Sequence, residues 1–520
     1  MTIARPTVII LAAGEGTRMR STTPKVLHTL AGRTMLGHAI AAARGLRPHR
    51  VAVVVRHERE LVAAHAREID PEVLVADQDE VPGTGRAVQC ALALLDGAAH
   101  ADLVRHGGTS GPVDGKVEGP VVVLAADVPL LDAATLGQLL DAHVTDRNAV
   151  TVLTTRVADA TGYGRIIRDS GTGQVARIVE QADADPAELE ITEVNSSVYV
   201  FDATVLRSAL SRLGRDNRQG EVYLTDVVAI ARSEGGAVRG LQLDDPVLVA
   251  GVNDRAQLAH LRAELNERLI TDWMLAGVTV IDPATTWVDV DVELEQDVTL
   301  LPGTQLHGST RVAGGAVVGP DTTLTDVVVE ANAQVIRSHG AGARIGNGAV
   351  VGPFSYLRPG TSLGADGRIG AFVETKNATI GDHSRVPHLS YVGDATIGEH
   401  SNVGAGTIFV NFDGLAKHTS AVGDHVRIGS DNSLVAPVTI GDGAYTGAGS
   451  VIRRDVPPGA LGVTTGPQRT IERWVLHRRQ GSWSARAATL ALGDDLSAQA
   501  RAEVERGQAP DPSTVEGQAR

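Results

Sequence analysis

The sequence has one cysteine, Cys90. That excludes an internal disulfide framework and a Cys-rich zinc site. Aromatic residues are few, 4 Trp, 6 Tyr and 5 Phe against 58 Gly. A fold with many tight corners and few large anchors uses residues this way. No stretch approaches the ~18 apolar residues of a membrane span, so no membrane partner is expected. Positive charge is short as well, with a formal net charge of −15. A nucleic-acid binder needs clustered Lys and Arg for its phosphate contacts, so that class is excluded. Small anionic substrates remain open wherever the few cations converge. The chain enters a strand almost at once, without the charged n-region, apolar h-region and cleavage site of a signal peptide. A cytoplasmic protein is expected.

What is present falls into two halves, as 520 residues are too many for one ordinary core. The first half alternates strands and helices. Thr7 to Leu11 is a β-branched apolar run ending in Ala12-Ala13-Gly14, and Val51 to Val55 and Val121 to Leu124 are further buried-strand segments. Helical spacing is expected from about Met35 to Arg44 and from about Glu58 to Glu68. This βαβ alternation predicts a Rossmann-like, mostly parallel sheet with helices on both faces. Ligands of such sheets sit beyond the strands' carboxyl ends, after Leu11 and after Leu124. A Gly-rich stretch from Ala98 to Gly119 reads as a surface insertion.

A helix is expected over Gly251 to Ala276, with Leu258, Leu261, Leu265, Leu269 and Trp273 on one face. Beyond it the period changes. Leu294, Leu300, Leu306, Val312, Val318 and Leu324 recur six apart, and aliphatic-Gly pairs such as Ile345-Gly346, Ile380-Gly381 and Ile440-Gly441 continue the pattern. This is the hexapeptide repeat of a parallel β-helix. The interval from Val403 to Val422 is too long for one turn and must expel a loop bearing Asn411, Phe412, Asp413 and Lys417. From about Gly481 no sustained pattern remains, and a disordered tail is expected.

Chemistry concentrates after the first strand. Leu11-Ala12-Ala13-Gly14-Glu15-Gly16-Thr17-Arg18 lets a backbone approach a nucleotide closely, and Arg18 and Lys25 add charge where a triphosphate would lie. A Gly-rich loop alone is weak evidence. With Pro24-Lys25-Val26-Leu27 behind it the string is specific, and it resembles the sugar-nucleotide pyrophosphorylases. Both halves in order, roughly residues 5–475, resemble the bifunctional N-acetylglucosamine-1-phosphate uridyltransferase / glucosamine-1-phosphate acetyltransferase family.

That resemblance implies a Rossmann-like uridylyltransferase domain over 1–250, a helical arm over 251–279, a left-handed β-helix acetyltransferase domain over 280–475 and a tail over 476–520. It implies acetyl transfer from acetyl-CoA to glucosamine-1-phosphate. Uridylyl transfer from UTP to N-acetylglucosamine-1-phosphate follows, feeding cell-wall synthesis, with Mg²⁺ as cofactor and a homotrimer as assembly. For the nucleotide and its sugar it points to Leu11, Ala12, Ala13, Gly14, Arg18, Lys25, Gln78, Gly83, Thr84, Gly164, Glu180, Asn195 and Asn253, with Asp127 and Asn253 as the metal pair. For acetyl transfer it makes His388 the general base that frees a sugar amine for attack on the thioester. Arg358, Lys376, Tyr391 and Asn402 would hold the sugar phosphate, Ala405, Asn411, Phe412, Ser430 and Ala448 would line the acetyl-CoA site, and Lys417 could reach a neighbouring subunit's phosphate.

The sequence departs from the family pattern at several positions. Ala125-Ala126 replaces a polar or aromatic residue followed by glycine, which would set two methyls facing the nucleotide. Arg86 stands for a usual His, Ser197 for a usual Gly, Phe412 for Tyr, Asn377 for a second Lys and Thr465 for an Arg. The alternative reading is an acetyltransferase with a weakened or non-catalytic nucleotide-binding N-terminal module.

Overall fold

The computed structural model describes residues 5–97 and 115–493. Its N-terminal half is built on a sheet in the order Val238–Leu243, Val150–Arg156, Glu193–Asp202, Pro120–Ala125, Thr7–Leu11, Arg50–Val55, Leu74–Asp77. Only Glu193–Asp202 runs antiparallel to its neighbours on this path. The central strands alternate between two cores. Ile9, Val121 and Val123 pack on one face, and Val8, Ile10, Val122 and Leu124 on the other. Burial on both faces is why these strands read as continuous apolar runs. The expected helices are Met35–Gly45, capped by Thr34 accepting from the Gly37 N–H, and Arg59–Ile69.

Leu11 and Ala125 are in register on adjacent parallel strands. The Gly-rich loop and the segment carrying Asp127 therefore leave the sheet side by side.

Helix Arg255–Leu275 spans 21 residues, about 30 Å at the α-helical rise. Asp254 caps it, accepting from the Ala256 and Gln257 N–H groups. Its buried residues are Leu258, Leu261, Asn266 and Ile270. Leu258 and Leu261 are as the stripe predicts, Leu265 and Trp273 pack part-buried against the two cores, and Asn266 and Ile270 join the buried line in the helix's second half. Leu258 and Leu261 pack with Met19, Leu30 and Met35 of the first half, while Ile270 joins the β-helix core. Asn266 is buried because its amide serves backbone on both sides, donating to Thr286 C=O at 2.8 Å and accepting from Val288 N–H at 3.0 Å.

The second half is a left-handed parallel β-helix. Successive coils pair in parallel, as Val288 with Leu306 and Leu306 with Leu324. Leu294, Leu300, Leu306, Val312, Val318 and Leu324 all point into its core. Each such side chain stabilises the fold by roughly 1.5–3 kcal/mol relative to exposure. The long interval after Val403 does expel a loop. Strand Ile408–Val410 runs into it, Phe412 bridges Lys417, and Ser420–Val422 returns to the stack.

Two expectations change. Gly481 onward is not patternless in its first part. Helices Trp474–Arg478 and Trp483–Leu492 pack together around Leu476 and Ala485. They are too short for periodicity to reveal. Of the Ala98–Gly119 stretch, residues 98–114 lie outside the described residues. Val117, though, is buried in the first-half core, with its N–H bound to Asp96 at 2.8 Å.

Candidate active sites

At the carboxyl edge of the sheet, four predicted side chains meet. Lys25 Nζ donates to Asp127 Oδ2 at 2.5 Å and to Asn253 Oδ1 at 3.0 Å, and Arg18 donates to the same Asn253 oxygen at 2.9 Å. Asn253 arrives because Val252 N–H binds the Asp127 carbonyl at 2.9 Å. Lys25 sits on the one-turn helix Lys25–Leu27, and Gly16 makes room for it. A Cβ on Gly16 would stand 2.5 Å from the Lys25 Cβ. A carboxylate oxygen and an amide oxygen thus converge on one cationic point. Such hard oxygen donors suit Mg²⁺, which keeps waters and phosphate oxygens in the rest of its shell.

The loop residues divide by direction. Gly14 is open to its surroundings, while Ala12 is buried in the core, and Leu11 and Ala13 lie part-buried at its rim. Ala126 overturns an expectation. It is fully buried in the core, with its N–H on the Leu11 carbonyl, so its methyl does not face the nucleotide edge. Ala125, the last residue of its strand, is part-buried at the core's margin.

Gln78 donates its amide to the carbonyls of Val81 (2.9 Å) and Gly83 (3.2 Å). Those bonds tie the amide nitrogen to the loop and leave the amide oxygen to address a ligand. Gly83, at φ 118°, has no space for a Cβ, which would lie 2.2 Å from the Val222 carbonyl. Thr84 accepts from the Leu224 N–H at 3.1 Å. Arg86, where a His is usual, forks onto Asp79 and also meets Gln89.

Gly164, Glu180 and Asn195 form one wall. A Cβ on Gly164 would touch Glu180 Oε2 at 3.4 Å and Asn195 Cβ at 3.6 Å. Burial, with Asp226, Asp183 and Glu221 adding negative charge, pushes the Glu180 carboxyl up despite a 3.2 Å bond from Thr225. Asn195 donates to the buried Tyr199 hydroxyl at 2.7 Å. Thr225 and Tyr199 were missed from sequence, since neither lies in a motif. Ser197 has φ 61° at a bulge between Asn195 and Tyr199, the left-handed conformation that glycine takes without strain.

On the β-helix, Arg358 meets Glu374 at 2.9 Å. Lys376 lies beside Lys417 of the same chain, and that neighbouring amine pulls the Lys376 ammonium down from its ordinary value. Asp394 is the hub nearby, accepting from Asn377 at 2.9 Å and Asn411 at 2.5 Å. Burial opposes its ionisation, but those amides, with Lys376 and Lys417, hold its carboxyl below the usual range. Asn377, where a second Lys is usual, thus supplies an amide to this hub. Asn411 also reaches the Tyr391 hydroxyl at 3.4 Å. Gly393 lets that phenol lie along the strand, as a Cβ there would stand 2.6 Å from Tyr391 Cζ.

His388 ends strand Arg385–His388 with an exposed side chain. Among the described residues its ring makes no hydrogen bond within the chain. Asn402 begins the strand of the next coil, paired in parallel with Arg385. Ala405, Ser430 and Ala448 each follow a core strand by two residues and stack as one corner of small side chains. Thr465 lies against the next corner, at Gly449. Phe412 is 55% exposed on the expelled loop. The structure thus brings Arg18, Lys25, Asp127 and Asn253 together, and it leaves the His388 face open.

Residues 8–268 match the family of MobA-like NTP transferase domains, and residues 419–454 match the bacterial transferase hexapeptide family of six repeats. Curated relatives named bifunctional protein GlmU align along nearly the whole length. The protein of Kineococcus radiotolerans is 59% identical over 93% of this chain and 94% of its own. That of Mycolicibacterium gilvum is 57% identical over 92% and 94%, and that of Paenarthrobacter aurescens 54% identical over 98% and 99%.

Proposed function

The chain belongs to the family of bifunctional GlmU proteins, and on that premise we propose how its two sites divide the chemistry. It is a bifunctional enzyme of UDP-N-acetylglucosamine synthesis, with glucosamine-1-phosphate acetyltransferase and UDP-N-acetylglucosamine diphosphorylase activities. A merely nucleotide-binding N-terminal half is not favoured. The relatives align through both halves, and Ala126 faces the core.

The β-helix residues act first in our reading. Arg358 and Lys376 hold the sugar phosphate as paired cations, and Tyr391 and Asn402 orient the ring. His388 accepts the proton that the amine releases as nitrogen bonds to the acetyl carbonyl and the thioester's C–S bond breaks to free CoA. Ala405, Ser430 and Ala448 offer a corner without bulk for acetyl-CoA, with Asn411 and Phe412 beside it. Stacked Phe354 and Phe372, 5.4 Å apart and more than half exposed, continue to exposed Leu389 beside His388. Such an apolar column supports burial against further copies of the chain, as a homotrimer would provide.

The nucleotide-edge residues act on the product. The sugar phosphate oxygen attacks the α-phosphorus of UTP and pyrophosphate leaves in line. The convergence of Arg18, Lys25, Asp127 and Asn253 carries this reading. Arg18 and Lys25 neutralise the triphosphate, Gln78 with Gly83 and Thr84 frames the uracil, and Gly164, Glu180 and Asn195 wall the sugar. The family uses a divalent metal. We assign Mg²⁺ to Asp127 and Asn253, where it would supply charge neutralisation at the phosphates. We place the domain limits at residues 1–250, 251–279 and 280–475. No helix among the described residues is long and apolar enough to cross a membrane, and we propose a cytoplasmic location, where UTP and acetyl-CoA are available.

One coupled assay tests the whole reading. Glucosamine-1-phosphate, acetyl-CoA, UTP and Mg²⁺ should yield free CoA thiol, then pyrophosphate and the UDP-sugar. Absence of pyrophosphate when N-acetylglucosamine-1-phosphate is supplied directly would sink the uridylyl half.

A further inference from the structure

Between Lys25 and the helix Met35–Gly45 the chain makes a small hairpin, Thr29–Leu30 against Arg33–Thr34. Its tip residues, Ala31 and Gly32, have φ 42° and 81°, as a type I′ turn demands. A non-glycine residue in that conformation persists only where its surroundings enforce it.

The enforcing groups belong to the second half of the chain. The Ala31 carbonyl accepts the Val290 N–H at 3.0 Å. Arg33 meets Asp291 at 2.5 Å. Gly32 lies so close to Asp289 that a Cβ would stand 2.6 Å from its Oδ2. The Thr29 carbonyl accepts from Arg262 of the connecting helix at 2.8 Å. Asp289 is itself held, accepting from Gly308 N–H at 2.9 Å and facing His307 Nδ1 at 3.3 Å. Beside these contacts lies a cavity of about 520 Å³ lined by Thr29, Trp287 and Gln305, so close apolar packing does not hold the hairpin on that side. On its other side Leu30 packs with Met19, the residue after Arg18. The hairpin therefore adjoins both cations of the uridylyl site.

We infer that the first coil of the β-helix is a positioning element for uridylyl transfer. Asp289 and Val290 hold the hairpin tip, and the hairpin holds Lys25 and Arg18 over Asp127 and Asn253. The acetyltransferase half is then a structural part of the other active site as well as its neighbour. This rests on the reading of Lys25 as a phosphate-binding residue.

Because one chain performs both reactions, acetyl transfer serves as the internal control for folding. Asp289→Ala removes the carboxylate that braces the tip, and Gly32→Ala drives a methyl into it. In both, uridylyl kcat/KM for UTP should fall by about fivefold to tenfold, as expected for sub-ångström misplacement of positioning groups. KM for UTP should move more than kcat, and acetyl transfer by the same preparations should stay within about twofold. Asp289→Asn keeps an oxygen for the Gly308 N–H and should restore most of the loss. Unchanged uridylyl transfer in both Asp289→Ala and Gly32→Ala, or equal loss of both activities, overturns the inference. Lys25→Met, assayed alongside, separates the two failures. If it loses uridylyl transfer while the hairpin variants do not, only the positioning role falls. If it keeps uridylyl transfer, the reading of Lys25 falls, and the positioning role with it.

Discussion

Lys25 and Asp127, 102 positions apart, meet at 2.5 Å at the carboxyl edge of the sheet, with the Lys25 side chain only 11% exposed. The ammonium is held by the very oxygens expected to take a metal, so a bound metal and a bound triphosphate would share out what is now one ion pair. Asp127→Asn leaves the shape and removes the charge. Uridylyl transfer should fall by roughly 100-fold or more, the scale for losing one electrostatic stabiliser. The Mg²⁺ concentration for half-maximal rate should rise, with acetyl transfer unchanged. Pyrophosphate release across a Mg²⁺ titration measures both. An unaltered Mg²⁺ dependence would remove Asp127 from the metal.

Much of this architecture is legible in sequence because it repeats or lies in one segment. The six-residue spacing from Leu294 to Leu324 states which side chains fill the β-helix, and Gly14 to Lys25 states where phosphate goes. What stayed hidden depends on neighbours remote in sequence. Ala125 and Ala126 look alike, but Ala125 ends its strand part-buried at the core's margin while Ala126, just past it, is fully buried in that core. The connecting helix changes partners midway, so its leucine stripe marks the buried face at Leu258 and Leu261 but not at Ile270, and Asn266 is buried for the two backbone groups it serves. Tyr199 and Thr225 reach the sugar wall only through a bulge and a helix start. The helices after Ile471 are stabilised by a packed pair of turns and by Arg479 and Arg486 over Trp474 and Trp483, contacts with no period to read.

His143 gives the first half a dependence on acid. It is 5% exposed, its Nδ1 lies 3.0 Å from the Thr151 hydroxyl, and burial lowers its pKa from 6.5 to about 4. The unfolded chain therefore binds the proton first as pH falls. The stability contributed by the neutral ring is complete above about pH 6.5 and is lost between there and about pH 4. Between pH 7.5 and pH 5 the loss is about 2 kcal/mol. Hydrogen exchange of the Val150–Arg156 amides in wild type and His143→Gln reads it. An equal pH slope in the two proteins would exclude His143 as the source.

Ser197 tests the strain at the bulge. Its φ of 61° is one that a side chain resists, and a glycine there removes the clash at the cost of a more flexible unfolded chain. Ser197→Gly should therefore raise stability by about 0.5–1 kcal/mol and leave both KM values for the uridylyl step within about twofold, since the bulge already has the glycine shape. Denaturant midpoints and steady-state kinetics decide it. A destabilised variant would mean that the Ser197 side chain is itself bound.

The exposed His388 makes the sharpest claim about the second half, because among the described residues its ring has no hydrogen-bond partner. A general base contributes about 100-fold to 10,000-fold, so His388→Ala should lose acetyl transfer on that scale, read as CoA thiol release. Uridylyl transfer from supplied N-acetylglucosamine-1-phosphate should persist, which separates chemistry from folding. If neighbouring copies complete the site, diluting the enzyme below its assembly concentration should abolish acetyl transfer in wild type as well, with uridylyl transfer spared. Sedimentation at the same concentrations connects the two. Full acetyl transfer by a demonstrably monomeric chain would show that the His388 face needs no partner, and that the exposed Phe354–Phe372 column serves some other end.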